Sequence, residues 1–122
     1  MATKPGTPYQ VPAGAVAALL SAARFGFPTR AEFTTVNVGT TSTKILDNNP
    51  RRVAWLLVNI SVNQGYLNFD NLVSSSNGII LGAGGGSVSV EVDEDGETSS
   101  WEVFGVCTGA SGVWWVYEVV CV

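Results

Sequence analysis

From Glu32 onward, short runs of Val, Thr, Ile, Trp and Tyr are cut at close intervals by Asn, Asp, Gly and Ser. That texture constrains the fold more than any other feature. β-Branched and aromatic residues suit the pleated, half-buried surface of a strand, and the punctuating residues are those that turns demand. Strands are expected near 33–38, 42–46, 52–60, 64–69, 78–81, 86–92, 99–107 and 112–121. Turn signals stand between them, among them Asp47-Asn48-Asn49-Pro50, Asn63-Gln64-Gly65, Ser76-Asn77-Gly78, Gly84-Gly85-Gly86, Asp95-Gly96 and Thr108–Gly112. No helical period interrupts them, which excludes parallel βαβ units. The expected fold is all-β: an antiparallel β-sandwich or jelly-roll-like domain of about eight strands.

The N-terminal third reads differently. Pro5, Pro8 and Pro12 disfavour helix over the first residues. Pro12 then suits the first turn of a helix, Ala13 to Arg24 is rich in Ala and Leu, and Gly26 with Pro28 is a stop signal. Residues 1–32 are expected to form an arm with one short helix, and residues 33–122 the β-domain. The apolar run Ala13 to Ala23 is too short to span a membrane, and no membrane segment is expected.

Charge narrows the function. Only 13% of the 122 residues are charged, against roughly 25% in a typical soluble domain, while 46% are apolar and the net charge is −4. So little charge leaves a free-standing surface hard to cover, which favours a chain that buries surface against other chains. The only adjacent basic pair is Arg51-Arg52, so phosphate-driven nucleic-acid binding is not expected. Histidine is absent. That removes the commonest general base and metal ligand, leaves Ser and Cys without an activating imidazole, and argues against an enzyme. No catalytic residue, metal or cofactor is expected.

The last two strands carry the interface expectation. Read as a hairpin, 99–107 and 112–121 sort Trp101, Val103, Gly105, Cys107, Val113, Trp115, Tyr117, Val119 and Cys121 onto a core face. Glu102, Phe104, Val106, Trp114, Val116, Glu118 and Val120 fall on the other. The second face is too apolar for solvent, so Phe104, Val106, Trp114 and Val116 are the candidate partner-interface residues. Tyr9, Leu19, Leu20, Phe25 and Phe27 are candidate anchors on the arm. Strand 52–60 is apolar on both faces and should be central. Cys107 and Cys121, far apart in such a hairpin, should be free thiols.

Three other features have bland readings. The acidic run Glu91, Asp93, Glu94, Asp95, Glu97 lacks calcium-loop spacing and reads as a solvated tip around Asp95-Gly96. Gly82 and Gly84–Gly86 lack the lysine of a phosphate-binding loop and read as a turn. Glu102 and Glu118, facing across the hairpin, have no cleft to work in. An exposed Trp114 would suit sugar stacking, which makes a carbohydrate-binding module of a receptor-binding apparatus the alternative function.

Thr43-Lys44-Ile45-Leu46, Asn49-Pro50-Arg51-Arg52, Leu56–Ser61, Tyr66–Phe69, Asn77–Leu81 and Gly85-Gly86-Ser87 resemble segments of small β-sandwich structural proteins of tailed-phage particles. The resemblance covers less than half of the chain. It implies a virion protein made in the host cytoplasm: a capsid decoration or cement protein, or a related head or tail component. Its partners would be copies of itself, a trimer among the options, and the major capsid or other virion proteins.

Overall fold

The computed structural model describes residues 23–122; the arm up to residue 22, with Tyr9, Leu19 and Leu20, lies outside the described residues. Eight strands follow: β1 Thr29–Val38, β2 Thr43–Leu46, β3 Arg52–Asn59, β4 Gly65–Asn68, β5 Ile79–Leu81, β6 Gly86–Glu91, β7 Val103–Cys107 and β8 Gly112–Cys121. They form two four-stranded sheets in the orders β1-β8-β3-β6 (sheet A) and β2-β7-β4-β5 (sheet B). All pairings are antiparallel. The pairs β4–β5, β3–β6, β2–β7 and β1–β8 nest inside one another, as in one long two-stranded ribbon rolled over on itself. That is jelly-roll topology, and the expected fold class holds.

Rolling the ribbon places consecutive strands in opposite sheets. Of the sequential pairs, only β4 and β5 are hydrogen-bonded neighbours. The expected terminal hairpin is therefore absent: β7 lies in sheet B, β8 lies in sheet A between β1 and β3, and Thr108–Ser111 arches between the sheets. An arch does not impose the cross-strand register of a hairpin, so the face of β8 cannot be read from that of β7. A slip of one residue inverts every side chain, and the expected face of β8 is inverted. Trp114 (0% exposed), Val116 and Val120 point inward; Val113, Trp115, Tyr117, Val119 and Cys121 are only half-buried. On β7 the expectation holds, with Val103, Gly105 and Cys107 inside.

Trp114 is the keystone between the sheets. A Cβ on Gly105 would lie 2.6 Å from its ring and one on Gly65 2.5 Å. The indole therefore fills the space that two glycines of sheet B leave empty, and its N–H donates to Cys107 Sγ (3.3 Å). Trp55, Leu57, Leu67, Leu81 and Val103 complete the centre of the core.

Three polar residues are buried among the described ones, Asn59, Arg52 and Ser99, and the first two carry the larger networks. Asn59 is fully buried. Its amide donates to the carbonyls of Asn63 (2.7 Å) and Leu81 (2.9 Å), and its Oδ1 accepts from Ser61 N–H (3.0 Å) and Oγ (2.7 Å). Buried amides persist only when satisfied in this way. Arg52, 3% exposed, stands at a bulge in β3. Its guanidinium donates to Glu118 Oε1 (3.1 Å) and to the carbonyls of Asp47 (2.8 Å) and Trp101 (3.3 Å). It thus ties two loops to β8 at one end of the sandwich.

Three boundaries differ from expectation. β1 starts at Thr29, so residues 29–32 belong to the sheet rather than to the arm. The acidic run is no hairpin tip: Val92–Asp95 is a short helix and Gly96–Ser100 a 3₁₀ turn. There Thr98, Ser99 and Ser100 hydroxyls donate to carbonyls three residues back (2.7, 3.3 and 2.7 Å), satisfying a turn where a strand was expected. The expected turn at Gly84-Gly85-Gly86 is present. Gly84 and Gly85 have φ of +69° and +117°, and their N–H groups donate to Ser61 O and Asn59 O. Residues 23–25 are helical and end at Gly26, φ +79°, as the stop signal predicts. No helix among the described residues is long and apolar enough to cross a membrane.

Candidate assembly surface

The outward face of sheet A follows from the register, because residues directly opposite in antiparallel strands share a face. One row across the sheet is Thr35, Trp115, Val58 and Ser87. The next is Phe33, Tyr117, Leu56 and Ser89, and the third is Ala31, Val119, Ala54 and Glu91. Strands β8 and β3 supply the centre, and every side chain there is apolar or aromatic and half-buried. Polar residues appear at the two edges, on β6 and at both ends of β1. Phe33 is 69% exposed on β1; its ring stacks on Trp115 (6.3 Å, 23°), which stacks on Tyr117 (5.8 Å, 16°). Solvated faces of antiparallel sheets read polar, and the centre of this one does not. At its far end Val119, Ala54, Val53 and Val92 line a hollow of about 180 Å³ into which the chain arrives at Arg24 and Phe25.

Sheet B presents a mixed face. Its outward side chains are Lys44, Phe104, Val106, Tyr66, Asn68 and Ile80. Lys44 pairs with Glu102 (3.3 Å) and Asp47 (3.4 Å), and its ammonium lies 5.8 Å from the centre of the Phe104 ring. Hydrogen bonds to Glu102 and Asp47 raise the Lys44 pKa above its ordinary 10.5. Beside it a hollow of about 420 Å³ runs between Tyr66, Val106 and Val73, rimmed by hydroxyls of Thr40, Ser42, Ser74, Ser75 and Thr108.

The candidate interface residues therefore scatter. Trp114 and Val116 are in the core and present no surface. Phe104 and Val106 do point outward on sheet B, half-buried and 9% exposed respectively. Phe25 is half-buried at the rim of sheet A's outer face; Phe27 is 50% exposed beneath the Arg51 guanidinium (5.6 Å). The outward residues that sequence reasoning assigned to the core or left without a role are Phe33, Leu56, Val58, Trp115, Tyr117 and Val119. The signal for Leu56 and Val58 was present in the two-faced apolarity of strand 52–60, whose central place in sheet A is as expected.

Chemistry-bearing groups are dispersed. Glu102 lies just before β7 and Glu118 on β8 of the other sheet, and they pair with Lys44 and Arg52, so they do not face each other. Among the described residues no group of three His, Cys, Asp or Glu side chains is placed to hold a metal ion. Cys107 and Cys121 are free, as expected; burial pushes the Cys107 thiol pKa up, against a smaller lowering from the Trp114 N–H.

No family model and no curated protein sequence matches the chain. A protein of Bacillus endospore appendages, described as a family of disulfide-linked pili, superposes with a TM-score of 0.46. It is 11% identical over 77% of this chain and 87% of that one. Similarity that slight carries neither function nor partner.

Proposed function

We propose that the protein is a structural component of a virion surface, a capsid decoration or cement protein or a related head or tail component. It works by protein–protein assembly rather than by catalysis. The observation that carries the reading is the outward face of sheet A: an apolar centre with an aromatic stack, on a chain with few charges. Such a face gains by being covered, since each Å² of apolar area removed from water is worth about 25 cal/mol. The phage-protein resemblance of residues 43–87 supports the virion assignment, and the absence of histidine supports a non-enzymatic role. A decoration protein of this kind stabilises a shell by mass action, because it binds the assembled lattice and not its free subunits. The carbohydrate-binding alternative rested on an exposed Trp114, which is buried.

Two measurements test this. Particles banded from a lysate of cells expressing the gene should carry peptides of this chain at an abundance comparable to other virion proteins. A Leu56→Lys, Val58→Lys variant should fold and be missing from those particles. Absence of the wild-type chain from the particles, or full incorporation of the variant, overturns the proposal.

A further inference from the structure

Strand β1 is an edge strand of unusual length, and the observations on it go beyond the outward face of sheet A. Its ten residues pair with β8 in unbroken register, from Thr29↔Cys121 to Val38↔Gly112, without a bulge. Arg30 to Thr35 are exposed one after another, because the facing sheet ends in β2, only four residues long. Among the described residues nothing buries this stretch on either face, and sheet A ends there. From Arg30 to Val38, among the described residues, no strand pairs with the free side of β1.

Proteins usually guard such an edge by shortness, bulges, proline or charge. The other three edges are shorter: β2 has four residues and a bulge, β5 has three, and β6 has six and ends on the charged Glu91 before a helical turn. β1 has neither bulge nor proline. Its two charges, Arg30 and Glu32, pair with each other (2.8 and 2.9 Å), so the edge carries no net charge to repel a second copy.

We propose that β1 pairs with β1 of a second copy of this chain, antiparallel about a twofold axis near Phe33 and Thr34, joining two A sheets into one of eight strands. The sequence of the strand fits this partner. An in-register parallel pairing sets Arg30 beside Arg30 and Glu32 beside Glu32, and like charges directly opposite are destabilising. An antiparallel alignment centred on Phe33 sets Glu32 opposite Thr34 and Arg30 opposite Val36; centred on Thr34, it sets them opposite Val36 and Val38. Neither alignment opposes like charges. Both bring the two Phe33 rings close on the outward face, so that the Phe33–Trp115–Tyr117 stacks of the two copies meet across the seam. Main-chain hydrogen bonds along the edge supply affinity, and the dimer doubles the apolar face on which the assembly reading rests.

Sedimentation of the full-length chain, with three variants, tests the seam apart from the outward face. Wild type should sediment as a dimer or a multiple of one. Thr34→Glu lies on the other side of the strand from Phe33 and brings carboxylates together across the seam in either alignment. It should weaken association on the order of tenfold, through like-charge contacts across the pair. In a Cys121→Ser background, Phe33→Cys should be joined between chains by a short bis-maleimide, and this holds even if Thr34→Glu folds poorly. Leu56→Lys should still dimerise, so that retained particle binding by this dimer breaks the face reading alone. A wild-type monomer at all attainable concentrations, a folded Thr34→Glu that associates as wild type does, or an oligomer in which the Phe33→Cys variant is not cross-linked overturns the seam.

Discussion

The two sheets of this sandwich share one core and differ outside it. Sheet B carries Phe104, Val106, Tyr66 and an exposed Ile80, but sets among them a lysine between two acids, an asparagine and a hollow lined by Thr and Ser residues. Sheet A carries Leu56, Val58, Trp115, Tyr117 and Val119, half-buried, with exposed Phe33 at its edge. On the assembly reading proposed above, the contrast points to sheet A as the working face. A face that sets charges and amides among its apolar groups, as B does, can meet water, whereas the unbroken apolar centre of A gains by being covered.

The comparison breaks most completely if the shared core is removed. Trp114→Ala should cost about 3–5 kcal/mol of stability, read by denaturant unfolding, because the indole fills the space left by Gly65 and Gly105. Had Trp114 been a surface residue, the cost would be small. Arg52→Ala should cost a comparable ~3–5 kcal/mol, because it strands the half-buried Glu118 and two loop carbonyls. Gly105→Ala tests the fit from the other sheet: a methyl 2.6 Å from the indole forces a shift worth about 1–3 kcal/mol.

The outer faces should respond more weakly in stability and differently in association. Leu56→Lys on sheet A should change stability by about 1 kcal/mol or less yet abolish particle binding. Lys44→Ala on sheet B should leave both nearly unchanged, since exposed ion pairs are screened by water. What little Lys44 contributes has a defined pH dependence. Its pKa is raised on folding, so the contribution is complete below the ordinary lysine value of 10.5 and fades as pH climbs through the higher folded value. Thermal unfolding of wild type and Lys44→Ala should therefore converge at strongly alkaline pH.

Much of this molecule was legible before any coordinates. Turn residues and β-rich runs located all eight strands, most to within a few residues, because those signals are local. The 3₁₀ turn at Gly96–Ser100 was missed because Thr, Ser and Trp suit strands too, and only hydroxyl–carbonyl bonds three residues apart chose the turn. Two free cysteines and a central third strand were also readable.

The candidate surface was half legible. The sequence revealed that more strand positions were apolar than one core could hold, which is a matter of counting. It could not say which positions were left over. In Val113-Trp114-Trp115-Val116-Tyr117 both alternating sets are apolar, so the strand can face either way by its own composition. What oriented it lay in other strands: room for an indole between Gly65 and Gly105, and Arg52 placed to meet Glu118. Local propensity and turn chemistry act over a few residues and are written in the chain. The facing of β8 depends on packing against residues up to 66 positions away, and that only the rolled ribbon decided.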